Sequence, residues 1–309
     1  MKFKKIVILD KVDFFNDQKE QLKKLSDELI IYDDTSKTKE EIIKRVEDAD
    51  CVITSWTDLD RDDISAWPNV KYIGVYATGY SWIDVKVAKE KQITVTNVPA
   101  YATESVAEMV FCQLLTLVRK SRQADNFIRE TGKFERDKFQ GEELNGKTFG
   151  IIGLGHIGLR VAEIANAFGM NVIYYSRTKK DVSYQFFENL DDMISKCDVI
   201  SIHSSSGDEF LTTERLTKLP NNSIVINFGV AGSVNEDSLI KEIQSGRLRA
   251  IIDHFANHKI RKELREFNDN TVLSPEIGYY TKQSLVRLSQ ITIDNIKKFL
   301  EGNPQNVVN

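Results

Sequence analysis

Short apolar, β-branched runs alternate with amphipathic runs almost from one end of the chain to the other. Continuous apolar runs of this length read as buried strands, and apolar residues at helical spacing read as helices that bury one face. Strands are expected at residues 5–9, 29–32, 51–54, 71–76 and 93–96, with helices at 17–26, 39–48 and 83–91 between them. A long apolar-periodic helix is expected from 104 to 122, its start marked by capping residues Thr103 and Ser105. A polar stretch, 123–144, follows. Alternation then resumes with strands at 148–152, 171–175, 199–203, 224–227, 250–252 and 271–274, and a last helix over 282–301. Strand, helix, strand, helix is the signature of parallel sheets covered on both faces. The expected fold is α/β, with two doubly wound domains: 1–99 together with 282–309, and 100–281. The last helix is expected to return to the first domain, since a chain that leaves a domain by one linker can re-enter by another.

Composition narrows the partners. The chain has 309 residues, 41% hydrophobic and 28% charged, enough for two sizeable cores. Its 42 Lys and Arg against 46 Asp and Glu give a net charge of −4, with no basic excess for nucleic acid or an anionic membrane. Three cysteines without a C-x-x-C pair argue against a disulfide framework or a thiolate metal site, so no metal is expected and a reducing, cytoplasmic setting is. No run reaches the roughly 18 apolar residues of a membrane-spanning helix, and MKFKKIVILD lacks the form of a signal peptide. Only four histidines are present, His156, His203, His254 and His258, so any imidazole acid is one of these.

The sharpest motif is Gly153-Leu154-Gly155-His156-Ile157-Gly158, which follows an apolar strand and opens a helix. That context is what G-x-G-x-x-G needs for dinucleotide binding: a tight turn at Gly153, backbone approach to a pyrophosphate at Gly155, and close helix–strand packing at Gly158. The next strand ends Tyr175-Ser176-Arg177-Thr178, and no acid appears before Asp181. An NAD site usually carries a carboxylate there for the ribose 2′-hydroxyl. Ser176, Arg177 and Thr178 are instead donors suited to a 2′-phosphate, so NADP is favoured, with NAD the alternative.

Nearly the whole chain resembles the D-2-hydroxyacid dehydrogenases, the family of D-lactate, glycerate, phosphoglycerate and formate dehydrogenases. The resemblance runs through Val75-Tyr76-Ala77-Thr78-Gly79-Tyr80, Ile83-Asp84, Ile93 to Pro99, Ser105-Val106-Ala107-Glu108, Leu144-Asn145-Gly146-Lys147 and the glycine loop. It implies a flavodoxin-like substrate domain built from both termini, with a Rossmann-type cofactor domain inserted in it. It implies a homodimer joined through the helix after Pro99. It puts Thr78, Gly79 and Val230 toward substrate, and Tyr80 and Tyr101 are cleft candidates whose hydroxyls can donate. It puts Ile157, His156, His203, Ser204, Phe228, Gly229, Asp253 and Gly278 beside the cofactor, with Asp253 on the nicotinamide side.

The family reduces 2-oxo acids with three groups: an Arg for the carboxylate, a His that protonates the alkoxide, and a Glu that keeps the His charged. This chain departs at each. Asn227-Phe228-Gly229-Val230-Ala231 has Val230 where the family has Arg, and Ser274-Pro275-Glu276 has Glu276 where the family has His. His258 falls near the family's Glu position. Two readings stay open: a role-reversed Glu276–His258 catalytic pair, or a decayed site with His258 on a polar loop. His254 reads as wall. A substrate carboxylate at about 4 Å from an ionised Glu276 costs a few kcal/mol, so a neutral carbonyl or a cationic imine or amine suits the site better than a 2-oxo acid. Arg261 or Arg265 swinging in from the loop is the route by which anion binding would be rescued. The leading expectation is an NAD(P)-dependent oxidoreductase with an altered site. The alternatives are an inactive dinucleotide-binding regulator or scaffold, and an enzyme that uses the fold for another reaction.

Overall fold

The computed structural model describes residues 1–204, 206–255, 261–267 and 269–309. They form two units, one comprising Met1–Tyr101 and Thr281–Asn309 and the other Ala102–Tyr280.

In the first unit the order is β1 (Phe3–Ile8), α1 (Asn16–Lys23), β2 (Ser26–Ile31), α2 (Lys39–Val46), β3 (Cys51–Thr54), α3 (Arg61–Ser65), β4 (Tyr72–Val75), α4 (Val85–Glu90) and β5 (Thr94–Thr96). The strands pair in parallel in the order β2-β1-β3-β4-β5, the flavodoxin-like arrangement. β3 and β4 are buried along their whole length, which is why each reads as an unbroken apolar run. The last helix of the chain, Lys282–Leu300, packs here. Its Phe299 stacks on Phe3 with ring centroids 5.7 Å apart, and its Ser289 hydroxyl lies 2.7 Å from that of Tyr76. At the carboxyl end of β3 the fully buried Asp10 carboxylate accepts hydrogen bonds from the Thr54 and Thr57 hydroxyls and from the amides of Ser55 and Trp56, at 2.5–3.0 Å.

The second unit begins with α5 (Thr103–Arg119) and α6 (Ser121–Thr131). It continues β6 (Thr148–Ile152), α7 (His156–Ala167), β7 (Asn171–Tyr175), β8 (Gln185–Phe187), α8 (Leu190–Ile194), β9 (Val199–Ile202), α9 (Thr213–Lys218), β10 (Ile224–Asn227), α10 (Glu236–Gln244), β11 (Arg249–Ile252), α11 (Lys262–Arg265) and β12 (Thr271–Leu273). The terminal helix of the chain is thus α12. The parallel order β12-β11-β10-β9-β6-β7-β8 reverses direction between β6 and β9, the switch point of a Rossmann-type sheet. One apolar cluster, including Phe111, Phe149, Val161 and Tyr174, fills one face. A second, including Ile152, Ile200, Val225 and Ile252, fills the other.

Three differences from the sequence reading appear. The helix expected through 122 stops at Arg119, because Lys120 takes a left-handed conformation (φ 52°). A second helix, α6, then occupies the start of the polar stretch; its Ala124, Phe127 and Ile128 fall on one face, and none of its residues is buried. β8 was not expected at all, being three residues long with none fully buried. Among the described residues, no helix is long and apolar enough to cross a membrane.

Candidate active site

The glycine loop joins β6 to α7 at the carboxyl edge of the second unit's sheet, beside the switch point. Gly153 has φ +93°, and a Cβ there would lie 2.9 Å from the Ser204 amide nitrogen, so only glycine fits. A Cβ on Gly158 would come 2.1 Å from the Gly153 carbonyl oxygen, so helix and loop touch backbone to backbone. Gly155 is different: it caps α7 in an extended conformation (φ −85°, ψ −161°), and its Cβ position is open space. No side chain caps α7, whose first amides, at His156 and Ile157, are left for a ligand. A cradle that a single Cβ would fill, at the amide end of a twelve-residue helix, fits a dinucleotide pyrophosphate.

At the end of β7, Ser176 is half-buried and Arg177 and Thr178 are exposed. The Ser176 hydroxyl donates to the Thr178 carbonyl at 2.6 Å, and Arg177 is the one cation of the three. After β9, the His203 Nε2 lies 2.8 Å from the Ser201 hydroxyl, and the Ser204 hydroxyl is bonded to Ser206. Desolvation pushes the His203 imidazole down to about 3, so it is neutral near pH 7 and is not the acid. Because the unfolded chain takes up that proton near pH 6.5, the stabilisation is full above 6.5 and is lost as pH falls toward 3. Denaturant unfolding should be about 2 kcal/mol less favourable to the fold at pH 5 than at pH 7 on this account. His203→Gln should remove that pH dependence.

The ends of β10, β11 and β12 hold the remaining residues. Phe228 and Gly229 follow β10, with the Gly229 amide donating to the Asn227 side chain at 3.1 Å, and Val230 is 36% exposed. Asp253, just past β11, is buried. Its carboxylate accepts from the Ser274 hydroxyl and from the amides of Ile277 (3.2 Å) and Gly278 (3.1 Å). Ser274 in turn accepts from the Gln113 amide of α5 at 2.6 Å. Burial raises the Asp253 carboxyl above its usual range, opposed by those three donors. The Asp253 carbonyl accepts from the Glu276 amide at 2.9 Å, and Glu276 sits in the left-handed region at φ 54°.

Among the described residues, the imidazole beside Glu276 is His254. Its Nδ1 lies 3.5 Å from Glu276 Oε1, with the two side chains 36% and 19% exposed. His258 lies outside the described residues. The signal that finds His254 is strand register: Ile252 pairs with Leu273, and extending that register by two residues sets His254 opposite Pro275, next to Glu276. Arg261, a candidate for rescuing anion binding, is engaged with Asp237 at 2.8 Å and Glu263 at 3.4 Å, and Arg265 is exposed.

In the first unit Thr78, Gly79 and Tyr80 are exposed after β4. The Thr78 hydroxyl is bound to the Val98 carbonyl at 2.8 Å and the Thr78 carbonyl accepts from the Asn97 side chain at 2.7 Å, leaving the backbone amide as the group to present. Tyr101 is only 8% exposed, so its hydroxyl is less open to a ligand than that of Tyr80 at 37%.

The family model described as "D-isomer specific 2-hydroxyacid dehydrogenase, NAD binding domain" matches residues 111–278. A hydroxypyruvate reductase of Blautia hydrogenotrophica is 34% identical over 298 residues, covering 91% of this chain and 92% of that protein. A glyoxylate reductase of Aeropyrum pernix is 32% identical over 289 residues, covering 87% and 86%. Among solved structures, an acyclic imino acid reductase in complex with NADPH and D-Arg has a TM-score of 0.91 at 29% identity, covering 99% of this chain and all of that one. With its two parallel-sheet units, its glycine loop and relatives matching nearly end to end, this chain belongs to the D-isomer specific 2-hydroxyacid dehydrogenase family of NAD(P)-dependent oxidoreductases.

Proposed function

We propose that this chain is an NADP-preferring oxidoreductase whose preferred reducible group is a carbon–nitrogen double bond rather than the carbonyl of a free 2-oxo acid. The observation that carries this reading is the pairing at the β11 and β12 ends. Glu276 and His254 stand together where the family has its acid, Val230 stands where the family has its carboxylate-binding cation, and Arg261 is paired with Asp237. The nicotinamide, when bound, supplies or accepts the hydride. A carbonyl needs a proton donor as its oxygen gains charge. A protonated imine already carries its proton and needs an anion beside the cationic nitrogen, which the Glu276 carboxylate provides. In the oxidative direction the same carboxylate removes a proton from the substrate ammonium. The imino acid reductase of like fold, bound to NADPH, supports both halves of the reading for this chain.

The test is NADPH consumption with pyruvate, glyoxylate and hydroxypyruvate, each alone and with excess methylamine. Imine-dependent turnover is expected, and full-rate turnover of any free 2-oxo acid overturns the reading.

The cofactor preference rests on Arg177. Asp in its place removes a charge-assisted contact worth about 1.5–3 kcal/mol, so NADPH should bind roughly 10–150-fold more weakly, with NADH unaffected or improved. Equal affinities for wild type and Arg177→Asp by nicotinamide fluorescence mean that Arg177 is only a surface charge.

The chain is also proposed to form a homodimer. α5 is largely buried within its own unit, whereas Ile128 on α6 and Phe134 after it are 52% and 96% exposed and offer the apolar surface. Sedimentation at micromolar concentration reads the oligomeric state.

A further inference from the structure

We propose that His254 is the positioning residue behind Glu276: it fixes the carboxylate and takes onward the proton that Glu276 removes from a substrate ammonium. This rests on the reading of Glu276 as the substrate-facing group. His254 Nδ1 and Glu276 Oε1 are 3.5 Å apart, and backbone pairing brings the two residues together. His254 directly follows Asp253, whose carbonyl holds the Glu276 amide and whose carboxylate holds the amides of Ile277 and Gly278. The two side chains therefore ride on adjoining strand extensions that cannot drift independently. Among the described residues, the charged groups brought against the imidazole are Glu276, on the turn after β12, and Asp253, on the same extension, whose carboxylate is directed to Ser274, Ile277 and Gly278. Val230, after β10, contributes no charge.

The proton balance is simple. An N–H bond of the ammonium breaks, its proton forms an O–H bond on Glu276, and the nitrogen keeps the electron pair. The Glu276 O–H bond then breaks and an N–H bond forms at His254 Nδ1, leaving a carboxylate beside an imidazolium. One proton has moved from ammonium to imidazole and total charge is unchanged. In the reductive direction the same proton returns. Nδ1 accepts from the protonated Glu276 in the tautomer that carries hydrogen on Nε2, and it is the imidazolium so formed whose Nδ1–H then fixes the carboxylate.

Two measurements test this. With only four histidines, imidazole Cε1–H resonances of the free protein are countable, and that of His254 is identified by its loss in His254→Asn. In Glu276→Gln at fixed pH, the His254 resonance should move while those of His156 and His203 stay. Since no substrate is present, an unmoved resonance overturns the pairing whatever the substrate is. A moved resonance without imine turnover upholds the pairing and overturns the substrate class alone. The second measurement is the pH profile. His254→Asn keeps an N–H donor near Nδ1 without a titrating group, so kcat/KM should lose one ionisation limb and kcat should fall about tenfold or more, with KM little changed. His254→Ala should fall further, with Asn recovering part of the loss. A His254→Asn profile superimposable on wild type overturns the relay.

Discussion

Glutamine in place of Glu276 is expected to lower kcat/KM for an imine or amine substrate by about 10²–10⁴-fold, the range lost when a general acid–base group is removed. Glutamine matches glutamate in size, so the turn held by Asp253 is not disturbed, and NADPH affinity measured by fluorescence should stay within about twofold. What disappears is the negative charge and the basic oxygen. The same substitution should act in the opposite direction on a free 2-oxo acid. An ionised Glu276 repels a substrate carboxylate by about 4 kcal/mol at 4 Å and an effective dielectric near 20, so its removal should lower KM for pyruvate or glyoxylate. The crossing of the two effects is diagnostic. A parallel fall for imine and oxo acid would mean a structural defect, and no change in either would remove Glu276 from the chemistry.

Alanine at Gly155 should separate cofactor binding from folding. The backbone there has φ −85° and ψ −161°, an extended conformation open to any residue, and none of the described residues beyond its chain neighbours lies within 4 Å of the added Cβ. Unfolding free energy should therefore change by less than about 0.5 kcal/mol, as for an uncrowded surface substitution. The added carbon instead occupies the space into which a pyrophosphate must come. Overpacking of one carbon costs about 1–3 kcal/mol, or roughly 5–150-fold in NADPH affinity. Gly158→Ala makes the contrast. Its Cβ meets the Gly153 carbonyl at 2.1 Å, so stability and binding should fall together. Titration of nicotinamide fluorescence beside denaturant unfolding reads both quantities. If Gly155→Ala binds NADPH as wild type does, the cradle is not the pyrophosphate site.

The parallel sheets are legible in the sequence because strands covered on both faces, such as β9 and β10, are buried from end to end. The glycine loop is legible because its spacing answers a local geometric need: the left-handed turn at Gly153 and the close approach at Gly158. Val230 and Glu276 are legible as departures, since each stands inside a motif anchored on both sides. α6 is harder to read, because its short apolar stripe of Ala124, Phe127 and Ile128 lies in an otherwise polar stretch and none of its residues is buried. The approach of His254 to Glu276 is not legible. His254 reaches it only through the pairing of β11 with β12, a contact between residues about twenty positions apart that no local pattern encodes.

The grip of Asp253 on the turn after β12 bears on how such a site can change over generations. Every bond that Asp253 makes to residues 276–278 is to a backbone amide, so the side chain at 276 has no part in its own mounting. Residue 276 is thus an exchangeable fitting. The left-handed conformation there filters what is admitted: histidine, asparagine and aspartate adopt it readily, and β-branched residues do not. Neighbouring positions have no such licence. A Cβ at Gly278 would stand 2.9 Å from the Phe228 ring and 3.0 Å from the Asp253 carboxylate. A lineage starting from histidine at 276 can reach glutamate in steps that leave the scaffold untouched, and can return by the same road.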